Sequence, residues 1–259
     1  MGTTQRFSII VFLALACRHE PEPGQSTRDS ETLVDSPAAS SQRASTIVSS
    51  DSLLPPSDTL RARLCRNLNN SYQCAQAIER HLLADPVHGA HRLGSELVIP
   101  LLNGGTLSLR DSAPDMPTGV WYTYRTHLPS IRYHVVEVHY YEGGTYLLVN
   151  GRSGKKTFSN GLPVVSPDNR RVAAGNVDLE AEFSPTTVQV WRLEGDSLTL
   201  EWEHNFLASG AASDSTWGPG DVRWQTRTEI VLTKEYGFGQ RRGESLVRLG
   251  PAGWAFSPP

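Results

Sequence analysis

The sequence holds 3 cysteines, Cys17, Cys65 and Cys74, and each thiol is a candidate nucleophile, metal ligand or half of a disulfide. Cys65 and Cys74 stand nine positions apart. In one continuous helix that spacing would separate their Cα atoms by about 13.5 Å, whereas a disulfide tolerates about 7 Å at most. A bridge therefore requires the chain to reverse between them, and Asn67, Asn69 and Asn70 supply a break at that point. The break favours a Cys65–Cys74 bridge; the alternative is two reduced thiols buried as small hydrophobes. The spacing is not a zinc pattern, and a metal site would need further ligands.

The other reactive residues are dispersed. His88 and His91 share a face only if helical, and no HExxH pattern accompanies them, so a loop is expected. His134 and His139 differ by an odd number and face opposite sides of a strand. Glu137 and His139 do share a face, but two residues make neither a triad nor a metal site. Gly151 and Gly154-Lys155-Lys156 lack the spacing and the following helix of a phosphate loop, which leaves a hairpin turn. Ser166 is not in a GxSxG elbow. Asp178, Glu180 and Glu182 lack EF-hand spacing and read as a solvated loop. No catalytic constellation emerges, and no cofactor or metal is expected. What remains is aromatic: Tyr140 and Tyr141 flank one turn, and Trp217 and Trp224 bracket Gly218-Pro219-Gly220-Asp221. These four are the candidate binding surface, against the alternative that they plug a β core.

The elements that must carry these residues fall into three segments. Residues 17–57 are rich in Ser, Thr, Pro, Ala and acids, and cannot bury enough apolar surface to offset their ordering entropy; a disordered tether is expected. Residues 58–86 place Leu60, Leu64 and Leu68 at a spacing of four, then Cys74, Ile78 and Leu82 likewise, with Ser71 as a fresh cap. This predicts a small helical hairpin. Residues 96–259 alternate β-branched and aromatic runs (97–102, 106–110, 119–125, 131–141, 145–149) with Gly, Asn and Pro turns. Later, Leu198, Leu200 and Trp202 alternate with polar residues and pair across a turn with 188–193. The fold class expected from this pattern is mainly β, an antiparallel domain behind the hairpin and tether.

One stretch is more specific. Ser166-Pro167-Asp168-Asn169, then Val172-Ala173-Ala174-Gly175, Asp178, and Val188-Gln189-Val190-Trp191 resemble a blade of the WD-repeat and TolB-like β-propellers. A fainter echo places Gly218-Pro219-Gly220-Asp221 at the turn and Ile230–Leu232 on the strand. Arg192 replaces the family's aspartate, and residues 180–186 look inserted. At about 40–45 residues per blade, the β region holds four blades at most, so the resemblance implies a propeller-like domain, and an open meander or sandwich-like domain of blade-like hairpins is the competing expectation.

At the amino end, the apolar run of residues 7–16 is too short for a bilayer, which needs about 20 residues of helix. With Arg6 before it and Ala14 and Ala16 at its end, residues 1–16 read as a secretory signal peptide. Leu13-Ala14-Leu15-Ala16-Cys17 resembles the lipobox of bacterial lipoproteins, although Ala14 stands where leucine is usual. The resemblance implies a lipid on Cys17 and attachment to a membrane without a transmembrane span. Arg18 is similar to the residue found in outer-membrane-destined members, facing the periplasm or the cell surface. Net charge of −3 and a pI near 6.2 give no electrostatic footprint for nucleic acid. The expectation is a cell-envelope lipoprotein whose β domain binds envelope proteins or glycans. The competing expectation is an exported hydrolase with its site on β-domain loops.

Overall fold

The computed structural model describes residues 58–68, 70–85, 89–112, 117–208 and 216–257; the leader, the tether and Cys17 lie outside them. Helices α1 (Asp58–Cys65) and α2 (Ser71–Leu83) form the hairpin. Asn70, one residue before the expected Ser71, caps α2, its side-chain oxygen accepting the Gln73 N–H at 2.8 Å. Asn and Ser cap about equally well, so the break residue doubles as the cap. The reversal brings the Cα atoms of Cys65 and Cys74 to 4.9 Å and joins them as a disulfide. A bridge across so short a loop contributes about 2–4 kcal/mol. Cys74 and Ile78 point inward and are buried.

Behind the hairpin stand four antiparallel sheets, each a meander in chain order. The first contains β1 (His91–Leu93), β2 (Glu96–Pro100) and β3 (Thr106–Arg110). The second contains β4 (Val120–Leu128), β5 (Tyr133–Tyr140), β6 (Gly144–Asn150) and β7 (Lys156–Ser159). The third contains β8 (Val164–Val165), β9 (Arg171–Asn176), β10 (Thr187–Glu194) and β11 (Ser197–Asn205). The fourth contains β12 (Gly218–Thr226), β13 (Glu229–Tyr236), β14 (Gln240–Gly250) and β15 (Gly253–Phe256). The β region therefore begins at His91, a few residues before the expected 96.

Successive side chains on a strand face opposite ways, and the core uses both faces. Val136 and Val138 join Leu97, Ile99 and Leu109 between the first and second sheets. Their neighbours Tyr133 and Val135 join Val172, Ala174 and Trp191 between the second and third. Ala173, Val188 and Val190 then meet Ile230, Leu232 and Val247 of the fourth. The result is propeller-like, with sheets stacked face to face in chain order. On the outer face of the fourth sheet, Arg223 pairs with Glu244 at 3.0 Å and Arg248 with Glu229 at 2.8 Å. Charges there suit solvent rather than a further apolar sheet, as in the terminal units of repeat proteins.

Two expectations are corrected. Gly218-Pro219-Gly220-Asp221 is not a turn but the start of β12, bulged between Pro219 and Asp221. Proline is tolerated because β12 is an edge strand and needs no N–H on its free side. Leu198, Leu200 and Trp202 do not share one buried face. A bulge pairs Val190 with Trp202 and Trp191 with Leu200, leaving Glu201 as the extra residue. The phase flips there: Leu198 packs toward the second sheet, Trp202 toward the fourth, and Leu200 stays 50% exposed.

The blade-like turn forms as its residues dictate. The Asp168 carboxylate accepts from the Ser166 hydroxyl at 2.7 Å and the Arg170 N–H at 3.2 Å. Asn169 takes the left-handed conformation, φ 57°, which asparagine tolerates better than most residues.

Candidate functional site

An exposed strand edge carries unpaired N–H and C=O groups that something must satisfy. Strand β4 is an edge of the second sheet, and side chains complete it. The Glu79 carboxylate on α2 accepts the Tyr124 N–H at 2.6 Å, and Asp111 accepts the Tyr122 N–H at 2.9 Å. Arg92 on β1 donates to the Tyr122 carbonyl, to both Glu79 oxygens at 2.7 and 3.1 Å, and to Asp111 at 2.9 Å. Ser112 exchanges backbone and hydroxyl bonds with Val120. Burial works against the Arg92 charge, but the Glu79 and Asp111 carboxylates more than offset it and raise its pKa. A cavity of about 490 Å³ opens beside this clasp, lined by Tyr72, Gln76, Arg80 and Ser95 among others. The guanidinium is committed to holding the hairpin on β4, so the clasp is structural.

Glu137 and His139 share a face of β5, as alternation requires. His139 Nε2 lies 3.0 Å from the Thr123 hydroxyl and 3.9 Å from Glu137, and its ring stacks on Trp121 at 5.0 Å. This is not a nucleophile–base–acid relay. One nitrogen faces both partners, where a relay uses the two nitrogens separately, and Thr123 is buried. Burial pulls the His139 pKa below its ordinary 6.5; Glu137 opposes this and Arg125 reinforces it. Burial lowers His204 as well. Between 6.5 and the lower folded value the unfolded chain binds more protons, so stability is full above about pH 6.5 and falls as pH drops through that window. The urea midpoint should hold constant from about pH 7 to 8 and decline toward pH 5, less steeply in His139→Gln. An equal decline in both proteins would remove His139 as a source.

On the opposite face, His127 and His134 form a cross-strand pair with ring centroids 4.7 Å apart. His134 Nδ1 lies 3.1 Å from the Tyr124 hydroxyl. Both line a cavity of about 210 Å³ with Leu101, Leu102, Arg132 and Gly151. Among the described residues no three His, Cys, Asp or Glu gather as a metal site. His91 is exposed, its Nδ1 3.0 Å from the Gly89 carbonyl, and His88 lies outside the described residues. Residues 151–155 form the β6–β7 turn, organised by Asn150 Oδ1, which accepts from the N–H groups of Arg152 and Ser153. Ser166 is buried within its own turn.

The exposed chemistry gathers on three connections from consecutive sheets: the β5–β6 turn, the β9–β10 loop, and the short 3₁₀ turn Gly237–Gly239 between β13 and β14. The Asp178 carboxylate shapes the middle loop by accepting the N–H groups of Ala181, Glu182 and Ser184 at 2.9–3.2 Å. That loop is tied to its neighbours. The Ser184 hydroxyl donates to the Gly144 carbonyl at 3.3 Å, and the Glu180 carboxylate accepts the Phe238 N–H. A side chain at Gly143 would sit 3.3 Å from Phe183 Cβ, so these strands turn in contact. Along this rim stand Tyr140 (39% exposed), Tyr141 (57%), Phe183 (55%) and Phe238 (90%).

Of the four aromatics singled out in the sequence, Tyr140 and Tyr141 lie on this rim, while Trp217 and Trp224 pack against the third core cluster. Trp217 meets Phe206 at 4.7 Å, with the Lys234 ammonium 5.0 Å over its ring. Trp224 donates Nε1 to the Val164 carbonyl at 3.0 Å and meets Trp254 edge-on. Register explains this: Trp224 pairs with Ile230 and Val222 with Leu232, the inward residues of β13. Phe183 and Phe238 were missed; the signal was present in Gly237-Phe238-Gly239, a large aromatic between two glycines.

No family model matches this chain, and no curated protein matches it. Among solved structures, it is similar to a Bacteroides fragilis protein provisionally assigned as a 6-phosphogluconolactonase. The two align at 11% identity and a TM-score of 0.34, over 62% of this chain and 49% of that one. This chain thus spans about half of the solved structure's length, and so distant a likeness carries no argument about the site.

Proposed function

We propose that the chain is a cell-envelope lipoprotein and that its propeller-like domain is a binding module whose contact face is the aromatic rim. The rim carries this reading. Tyr140, Tyr141, Phe183 and Phe238 are large, exposed and carried on three connections bonded to one another, and aromatic residues are prominent among the anchors of protein contacts. Large apolar side chains exposed together on neighbouring connections mark an interaction surface more often than one exposed singly. The Thr123–His139–Glu137 group, by contrast, is wrongly ordered for hydrolysis, and its hydroxyl is buried. Cys17 is the proposed lipid attachment point, and no described helix is long and apolar enough to cross a membrane.

The test replaces Tyr141 or Phe238 by p-benzoylphenylalanine in the full chain, expressed in its own host and photolysed in intact cells. Phe158, 56% exposed on β7, is the control. Rim positions should give discrete adducts in the envelope fraction, and Cys17→Ser should release the protein from that fraction and abolish lipid labelling. Equal labelling from Phe158, or none from the rim, removes the contact-face reading. A Cys17→Ser variant that stays in the envelope fraction removes the anchor.

A further inference from the structure

We infer that the rim recognises a basic peptide segment, one presenting arginine or lysine side chains in extended chain; this rests on the rim being the contact face. The three connections, residues 140–144, 178–184 and 236–240, contain Glu142, Asp178, Glu180 and Glu182 and no lysine or arginine. Asp178 and Glu180 are spent on backbone N–H groups of the rim itself. Glu142 and Glu182 are exposed, and among the described residues neither has an ion-pair partner. The nearest cation in sequence, Arg241, is paired with carboxylates outside the rim. Arg241 is bonded to Asp221 and Glu235 at 2.5 and 2.9 Å, and Arg242 donates to Gln240.

The aromatic rings supply the second half of the chemistry. A guanidinium or ammonium is attracted to the face of a tyrosine or phenylalanine, and an adjacent carboxylate adds a charge-assisted hydrogen bond. Tyr141 precedes Glu142 and Phe183 follows Glu182 in the chain, so each exposed carboxylate is next in sequence to an exposed ring. Backbone geometry points the same way. Phe238 and Glu182 adopt φ of 57° and 54°, a conformation that L side chains rarely take and that is especially uncommon for bulky residues. Such strain persists where the surroundings impose it, often at ligand clamps. Here the Glu180 bond to the Phe238 N–H and the Asp178 bond to the Glu182 N–H impose it, holding Phe238 outward.

The probe is a fluorescein-labelled hexa-arginine peptide titrated into the purified Cys17→Ser full chain by anisotropy, with hexaglutamate and hexaserine peptides as comparisons. Hexa-arginine should bind, and its affinity should fall with added salt. It should also weaken about tenfold in Phe238→Ser and in Glu182→Gln. Both sites are exposed, so circular dichroism should show an unchanged fold. In cells, adducts from position 238 should map to a segment rich in arginine or lysine. Hexa-arginine binding that is unchanged by both variants overturns the inference. Adducts mapping to an acidic or apolar segment, or to a glycan, overturn the partner chemistry and leave the contact face standing. No adducts from the rim overturn both.

Discussion

Glu79→Ala is expected to destabilise the domain by about 3–5 kcal/mol, the usual cost of breaking a buried ion pair by removing one partner. Glu79 is 3% exposed and meets three donors: two Arg92 nitrogens and the Tyr124 N–H. Alanine leaves Arg92 with Asp111 as its one carboxylate partner beside the Tyr122 carbonyl, and leaves the buried Tyr124 N–H without an acceptor. Glu79→Gln keeps an acceptor for Tyr124 and should cost less. The Glu79→Leu/Arg92→Met double variant should recover part of the loss, since paired apolar replacement often restores stability. Recovery stays incomplete because the Tyr124 N–H and the Tyr122 carbonyl still lack partners on the β4 edge. Urea denaturation at constant slope measures all three. A Glu79→Ala cost under about 1 kcal/mol would mean that water satisfies the β4 edge and that the clasp is incidental.

That clasp was not legible in the sequence, and the reason is physical. Glu79, Arg92 and Asp111 sit on a helix, a short strand and a loop, and each alone resembles a solvated surface charge. Only the meeting of hairpin and β4 makes them a unit. The long strands were legible from their β-branched and aromatic content: β5 buries Val135 and Val136 in different cores, so both are apolar. Strands β1, β7, β8 and β15 are too short for a period to show, and β12 opens with Gly-Pro-Gly, which reads as a turn until its edge position is known. The disulfide was legible because Cα separation in a helix is fixed, so a bridge required the Asn-rich reversal. The rim was half legible. Tyr140 and Tyr141 flank a visible turn, but nothing local to residues 178–184 or 236–240 says that three turns from different sheets touch.

Gly161→Ala is expected to cost about 3 kcal/mol, the upper end of ordinary overpacking, although residue 161 lies in a connection between strands. A Cβ at Gly161 would overlap the carbonyl of Gly175 on β9. That obstacle is backbone rather than a side-chain end, so it cannot swing aside. Nor can β9 retreat. A Cβ at Gly175 would itself meet Val222 and Pro219 of β12 at 2.6–2.9 Å, which places β12 directly behind it. The Gly161 connection, β9 and β12 are thus stacked at near-contact spacing, and the small run Ala173-Ala174-Gly175 permits it. Gly195→Ala supplies the contrast: φ there is +61° but no atom lies within 4 Å of a built Cβ. That variant should lose only about 1 kcal/mol, the cost of a left-handed alanine. Equal midpoints for the two variants would show that the connection at residue 161 moves off β9 at little cost, because residue 161 has no left-handed φ to penalise alanine. A larger loss at Gly161 would show that residue 161 and β9 meet backbone to backbone with no room to part, at the end of β9 that leads into the 178–184 loop.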